Sequence, residues 1–328
     1  ADRFHGAWPH WINGNTGAVI PFSALDDGGD LVETALLCQG LICIREYFQD
    51  GNAEEQILAQ KADVLWKGVE WDWYTQGENV LYWHWSPNHD WQMNFQIRGY
   101  NEALITYLLG AASPTFPIAN AVYHDGWARD GDIVSASGQY GLPVILSHNG
   151  APGTVGPLFW AHYSYLGLDP RGLTDSYANY WDVVTNHTDI IFGHCVQNPN
   201  GFSGYSDSCW GLTAGYSRNS DGITGYSAHQ PNNDNGVVNP TAALSSMAYA
   251  PTKAMDFLRF LYEDTEGEYV GDLGPFDAFS PHYAWKTERY LAIDQGTIGP
   301  MLENHKTQLF WNLFMAAPEI QQCLHNLG

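Results

Sequence analysis

Residues 30–48, DLVETALLCQGLICIREYF, repeat apolar side chains at helical spacing behind an acidic start, and similar segments recur along the chain. Helical spacing also marks about 54–67, 100–111, 157–167, 176–192, 240–249, 251–263, 288–295 and 305–316. Strand-like alternation is confined to 69–74 and 80–85, which flank TQGEN and suggest one small β-hairpin. The chain therefore reads as all-α. Asp30 and Glu33 have the spacing of a capping box, in which the Asp30 carboxylate takes a backbone N–H and the Glu33 side chain reaches back. Between the helices lie segments rich in Gly, Asn, Asp, Pro and Ser, notably 113–156 and 196–240. They are too long to be plain connectors, and long loops on a rigid scaffold are where binding residues gather. No repeat, low-complexity tract or linker divides the chain, so one domain over 1–328 is expected.

The charge balance narrows the partners. Thirteen Lys and Arg against 36 Asp and Glu leave a net charge of −23. That field repels phosphate backbones and anionic headgroups, so nucleic acid is not an expected partner. No apolar run approaches the length needed to cross a bilayer, so membrane insertion is not expected. A neutral substrate suits the chain better. Of the five cysteines, Cys38 and Cys43 lie in an apolar helix and read as buried thiols, while Cys195 and Cys209 could be bridged across a loop in an oxidising compartment.

Residues 70–102 gather Trp71, Trp73, Trp83, Trp85 and Trp91 beside Glu70, Asp72, Asp90 and Glu102. A pyranose has an apolar face that stacks on indole, hydroxyls that seek acceptors and a glycosidic bond whose cleavage needs carboxyl groups. Core filling is the plain alternative, against which stands the difficulty of burying 14 Trp, each with an N–H to satisfy.

Three places could carry the chemistry. In SALDDGGDLVET, Asp30 is explained as a helix cap, whereas Asp27 in its Gly-flanked turn could point into a cleft or, as a rival reading, help hold calcium. Glu102 opens a helix behind the tryptophan-rich segment; beneath aromatic walls it would stay protonated near neutrality, as a general acid must. Near the C-terminus, Asp294 follows an apolar run, and Glu303 has helix capping as its plain reading. The 13 histidines form no metal motif, and there is no P-loop, dinucleotide fingerprint or serine-hydrolase elbow. No metal and no cofactor is expected.

Taken together, HGAWPHWINGNTGAVIPFSALDDGGDLVET, EWDWYTQGENVLYWHWSP, IRGYNEALITYLLGAASPTFPI, SCWGLTA, NDNGVVNPTAALSSMAYAP and YLAIDQGTIGPMLENHKT resemble the glucoamylase-like domain family, with bacterial endo-β-1,2-glucanases the nearest likeness. The likeness runs from about residue 3 to about residue 318. It implies an (α/α)6 barrel, a toroid of paired helices with long loops and the hairpin at a cleft, and hydrolysis of internal β-1,2-glucosidic bonds with inversion. It also implies an acidic cluster at Asp27, Asp30 and Glu102, with Glu102 as general acid, and Asp294 is chosen as the carboxylate that helps activate water. Trp8, Trp11, Trp73, Trp83, Trp85 and Trp210 become the expected sugar platforms, with Asp30 and Glu303 as polar contacts. Members of the family usually carry a helical segment ahead of HGAWPHW, so barrel helices are expected to be missing at the N-terminus. An oligo- or polysaccharide substrate and a secreted or periplasmic location follow from the same likeness. Exo action, transglycosylation, or sugar binding without turnover are the alternatives.

Overall fold

The computed structural model describes residues 1–328 and contains ten α-helices: α1 (Leu31–Phe48), α2 (Ala53–Lys67), α3 (Leu104–Ala112), α4 (Tyr180–Gln197), α5 (Pro240–Leu244), α6 (Pro251–Arg259), α7 (Ala292–Gln295), α8 (Ile298–Lys306), α9 (Leu309–Ala316) and α10 (Pro318–Leu327). Sheet is limited to six two-stranded pairs. Helix α1 packs against α2, α3 and α9; α8 and α10 extend that row through α9, and α5 packs on α8. Beneath them one contiguous cluster of 63 buried residues runs from Ala7 to Leu327.

The helix boundaries have local causes. Asp30, in an extended conformation, caps α1 by accepting from the N–H groups of Val32 and Glu33. The reciprocal half of the expected box is missing, because the Asp30 N–H donates to Trp8 O at 2.8 Å instead. A complete capping box does form at α2, between Asn52 and Glu55. The expected helix over 305–316 is interrupted at Gln308, which takes a left-handed conformation with φ 62°. Asn304 bridges the break, its Oδ1 accepting from Phe310 and Trp311 N–H while its Nδ2 donates to Leu166 O. Pro318 then starts α10, where its missing N–H is harmless. The segment 157–167 forms two short 3-10 turns rather than a helix, and 288–295 is helical only over Ala292–Gln295.

The hairpin expected over 69–85 does not form. Trp73–Thr75 is a 3-10 turn capped by Asp72, and His84–Trp85 pairs with Gly29–Asp30. The longest strand pair is instead Ala214–Arg218 with Thr224–Ala228, inside the long 196–240 segment.

Buried ion pairing ties the helix row together. Arg45 on α1 forks onto both Glu319 carboxylate oxygens at 3.0 and 2.8 Å and bonds Asp63 on α2 at 2.7 Å. All five cysteines are buried and free, so the Cys195–Cys209 bridge is not made.

Candidate active site

A cavity of about 560 Å³ opens between the start of α1, the start of α3, the 214–228 strand pair and the segment leading into α7. Its walls are largely aromatic, with Trp11, Phe22, Trp83, Phe159, Tyr163 and Tyr216 contributing. Three carboxyl groups line it: Glu33, Glu102 and Asp294.

Glu102 comes from the turn before α3. Ser164, in a neighbouring 3-10 turn, pins that turn by donating to Glu102 O at 2.5 Å and accepting from Ile105 N at 3.1 Å. Burial raises the Glu102 carboxyl to about 7, its own backbone N–H opposes this, and the charges of Glu33 and Asp30 reinforce it. Asp294, on α7, accepts from the Tyr226 hydroxyl at 2.9 Å through Oδ1 and leaves Oδ2 unpartnered. Burial and the nearby charge of Asp277 lift it to about 7 against the Tyr226 bond. Tyr226 faces Tyr216 across the strand pair, so one short hairpin supplies both aromatic wall and carboxylate partner.

Glu33 is the residue that sequence reasoning missed. Its pattern assigned it to capping, but with the Asp30 N–H occupied by Trp8 O its side chain turns into the cavity. Burial and the charge of Asp30 raise it to about 7, with His10 pulling the other way. His10 stands between the two acids, its Nδ1 at 2.9 Å from Asp30 Oδ2 and its Nε2 at 4.0 Å from Glu33 Oε1. Burial disfavours the imidazolium, yet the bond to Asp30 and the surrounding carboxylates raise the His10 pKa on balance. Tyr163 was also missed; its hydroxyl donates to Ile293 O and so fastens the 3-10 turn to α7 itself.

Two of the expected acids have other duties. Asp27 lies outside the cavity, clamped by the Ser86 hydroxyl at 2.5 Å and the Asn88 amide at 2.7 Å, which holds its pKa down despite some burial. Its neighbour Asp26 turns inward instead, 3.3 Å from His84 Nε2 and 3.6 Å from His10 Nδ1. Adjacent residues of an extended turn point to opposite sides, and sequence does not say which faces in. Asp30 is fully buried and its acceptor capacity is filled by Val32 N, Glu33 N, His10 Nδ1 and Trp83 Nε1, so it positions the site without lining it. His10, Asp26 and Asp30 bring potential metal-ligand atoms within 4.8 Å. Asp27, for which calcium was the rival reading, is not among them, and an imidazole with two carboxylates is a poor match to calcium's preference for oxygen ligands.

The tryptophans divide. Trp11 and Trp83 line the cavity, Trp83 stacking on Phe95 at 5.2 Å. Trp210 is completely buried, and Trp8 is 9% exposed with the Arg3 guanidinium 4.1 Å over its ring, so neither can receive a sugar. Trp66, Trp71 and Trp127 are also fully buried, so part of the tryptophan content does fill the core, with the Trp71 and Trp127 indole N–H groups left without a partner. Trp73 and Trp85 pack against each other at 6.3 Å, away from the cavity walls. Glu303 lies on α8, outside the cavity, where it accepts from the Thr307 hydroxyl at 2.6 Å.

Comparison with known proteins places this arrangement. The Glycoamylase family model matches residues 94–318. An endo-β-1,2-glucanase from Chitinophaga pinensis, solved with sophorotriose and glucose, superposes with a TM-score of 0.96 at 53% identity, over 100% of this chain and 78% of that one. A β-1,2-glucanase structure from Parabacteroides distasonis superposes with a TM-score of 0.92 at 37% identity, over 100% of this chain and 49% of that one. An exo β-1,2-glucooligosaccharide sophorohydrolase of Parabacteroides distasonis is 38% identical over 349 residues, covering 100% of this chain. The chain spans about half the length of that curated relative, 47%. The architecture shared with these solved structures is the (α/α)6 barrel, the fold implied by the sequence motifs.

Proposed function

Because the chain belongs to the glucoamylase-like family, we propose that it is a glycoside hydrolase that cleaves internal β-1,2-glucosidic bonds of β-1,2-glucan with inversion at the anomeric carbon. The observation that carries this reading is the convergence of Glu33, Glu102 and Asp294 on one aromatic-walled cavity. A carboxyl at about 7 retains its proton near neutrality, so Glu102 can give that proton to the departing glycosidic oxygen as the C1–O bond breaks. Asp294, oriented by Tyr226, takes a proton from the water that attacks C1 from the opposite face. Inversion needs the two groups roughly 6.5 to 9.5 Å apart, with the water between them. Glu33 titrates in the same range as Glu102, and its ionised form supplies negative charge beside the oxocarbenium-like transition state and raises the Glu102 pKa. Trp11, Trp83 and Tyr216 offer ring faces to successive glucosyl units.

A second reading, exo action releasing sophorose, is favoured by the name of the 38% identical relative. The cavity residues serve either mode, since what differs is whether the groove is blocked beyond the cleavage point.

The test is incubation with linear β-1,2-glucan beside β-1,3-, β-1,4- and α-1,4-glucans, following reducing ends and product anomer. Mixed short oligosaccharides of inverted configuration from the β-1,2-polymer alone are expected. Sophorose as sole product would replace endo with exo action, and activity on the α-linked polymer alone would overturn the substrate.

A further inference from the structure

Trp73 and Trp91 form an aromatic surface that shares no lining residue with the catalytic cavity. Together with Glu70, Asp72, Gln76 and Phe116 they wall an open depression of about 560 Å³. Trp73 is 40% exposed, although an indole of that size gains by burial, so the fold holds it out against the hydrophobic effect. It is also held still. Asp72 caps the 3-10 turn by accepting from Trp73 N at 2.9 Å. The His5 ring lies flat beneath one indole face at 3.8 Å with an interplanar angle of 13°, and His5 Nδ1 is fixed by Glu70 Oε2 at 2.8 Å. Trp85 buttresses the Trp73 edge at 6.3 Å, and Trp91 stands 6.2 Å away at a 35° tilt. With one face stacked and the edges supported, the remaining surface of Trp73 fronts the depression among two carboxylates and an amide.

We propose that this depression is a second glucan-binding site, which docks a stretch of the polymer chain outside the catalytic cavity. The chemistry of the walls selects a neutral, hydroxyl-rich, flat-faced ligand. Indole faces take the apolar side of a pyranose, while Glu70, Asp72 and the Gln76 amide offer acceptors and a donor to its hydroxyls. An anionic ligand is disfavoured by Glu70 and Asp72. Ordering Trp73 before binding removes much of the side-chain entropy loss that a mobile platform would suffer. A chain held at two places on one protein raises the local concentration of glucan at the cavity, so the site matters for polymer and little for fragments too short to span both. The identity of the glucan as β-1,2-linked rests on the catalytic reading above.

Affinity electrophoresis through gels containing linear β-1,2-glucan tests the site directly, using Glu102→Gln to prevent turnover, with and without Trp73→Ala, alongside rates of the corresponding chains with Glu102 intact. The Glu102→Gln chain is expected to be retarded, and adding Trp73→Ala should weaken that retention at least threefold. With Glu102 intact, Trp73→Ala should lower the ratio of kcat/KM on polymer to kcat/KM on a short oligosaccharide by a similar factor, and Trp73→Tyr should restore part of both. If the unmodified chain hydrolyses the polymer while Trp73→Ala alters neither retention nor that ratio, the second site is refuted and the catalytic reading stands. If no β-1,2-glucan is hydrolysed, the catalytic reading fails; Trp73-dependent retention in that gel, or in parallel β-1,3- or β-1,4-glucan gels, still upholds the site, and its absence in all of them overturns it.

Discussion

Tyr226→Phe isolates the role given to Asp294, because it removes one oxygen and leaves the aromatic wall in place. The Tyr226 hydroxyl donates to Asp294 Oδ1 and is the stated influence holding the Asp294 pKa down. A hydrogen bond to a carboxylate is worth roughly 1.5 to 3 kcal/mol, and one pKa unit corresponds to about 1.36 kcal/mol. Tyr226 is 56% exposed, so water can replace part of the lost bond and the lower end applies. The Asp294 pKa should therefore rise by about one unit from its value of about 7. The sign follows from charge: the donor favours the ionised form, and its loss favours the proton. If ionised Asp294 activates water, the acidic limb of kcat/KM moves up by about one unit, while the alkaline limb set by Glu102, also about 7, stays. With the two limbs crossed, the fraction of molecules carrying both groups in working form at the optimum falls from about one quarter to about one seventeenth, a loss of about fourfold. Initial rates on linear β-1,2-glucan from pH 4 to 9 would show it. A fall in rate with an unmoved acidic limb would mean that Asp294 does not titrate in turnover, and the water-activating role would be lost with it.

Glu102→Gln should reduce kcat by at least a hundredfold on β-1,2-glucan while leaving oligosaccharide affinity by calorimetry within a fewfold, since the amide keeps shape and loses the proton. Glu33→Gln removes a charge that raises the Glu102 pKa, so the alkaline limb should move to lower pH; movement to higher pH would contradict the electrostatic account. Asp294→Asn should stabilise the fold at pH 8 and not at pH 4. The folded-state pKa near 7 lies above the ordinary 3.8, so the wild type is fully stable with respect to this group below about 4 and loses stability as pH climbs to 7, by at most roughly 4 kcal/mol; thermal melts at both values decide it. Arg45→Ala should lower the melting temperature and cost about 2 to 4 kcal/mol in urea unfolding, because Glu319, Asp63 and Glu46 would be left crowded without their shared cation.

The sequence carried the helical architecture well, because α1 and α2 are long, periodic and capped by short polar side chains. It carried less of what long-range contacts decide. The break at Gln308 needs Asn304 to hold two N–H groups across it, and nothing in the run 305–316 itself calls for an interruption. Trp210 and Trp11 have the same side chain, yet one is sealed in the core and the other is 48% exposed at the cavity mouth; composition cannot separate them. Tyr216 and Tyr226 were invisible because their partnership exists only once the 214–228 strands pair.

Glu33 shows how a correct local rule can hide a functional group. Three residues after an N-cap Asp, a Glu is ordinarily drawn back to the cap's own N–H, which would leave its carboxylate on the helix end. Here the N–H is already committed to Trp8 O, while the N-terminal segment that supplies Trp8 also supplies His10 two residues later. One pairing of that segment with the helix start therefore does three things: it displaces Glu33 from its capping role, it sets His10 against Asp30, and it leaves Glu33 facing the cavity beside Glu102. Asp30 remains a helix cap throughout, so the reading of Asp30 as structural and the reading of its turn as functional are both correct. What sequence could have offered was the coincidence itself: an acidic cap, a second acid one turn on, and a histidine-bearing aromatic segment long enough to return to them.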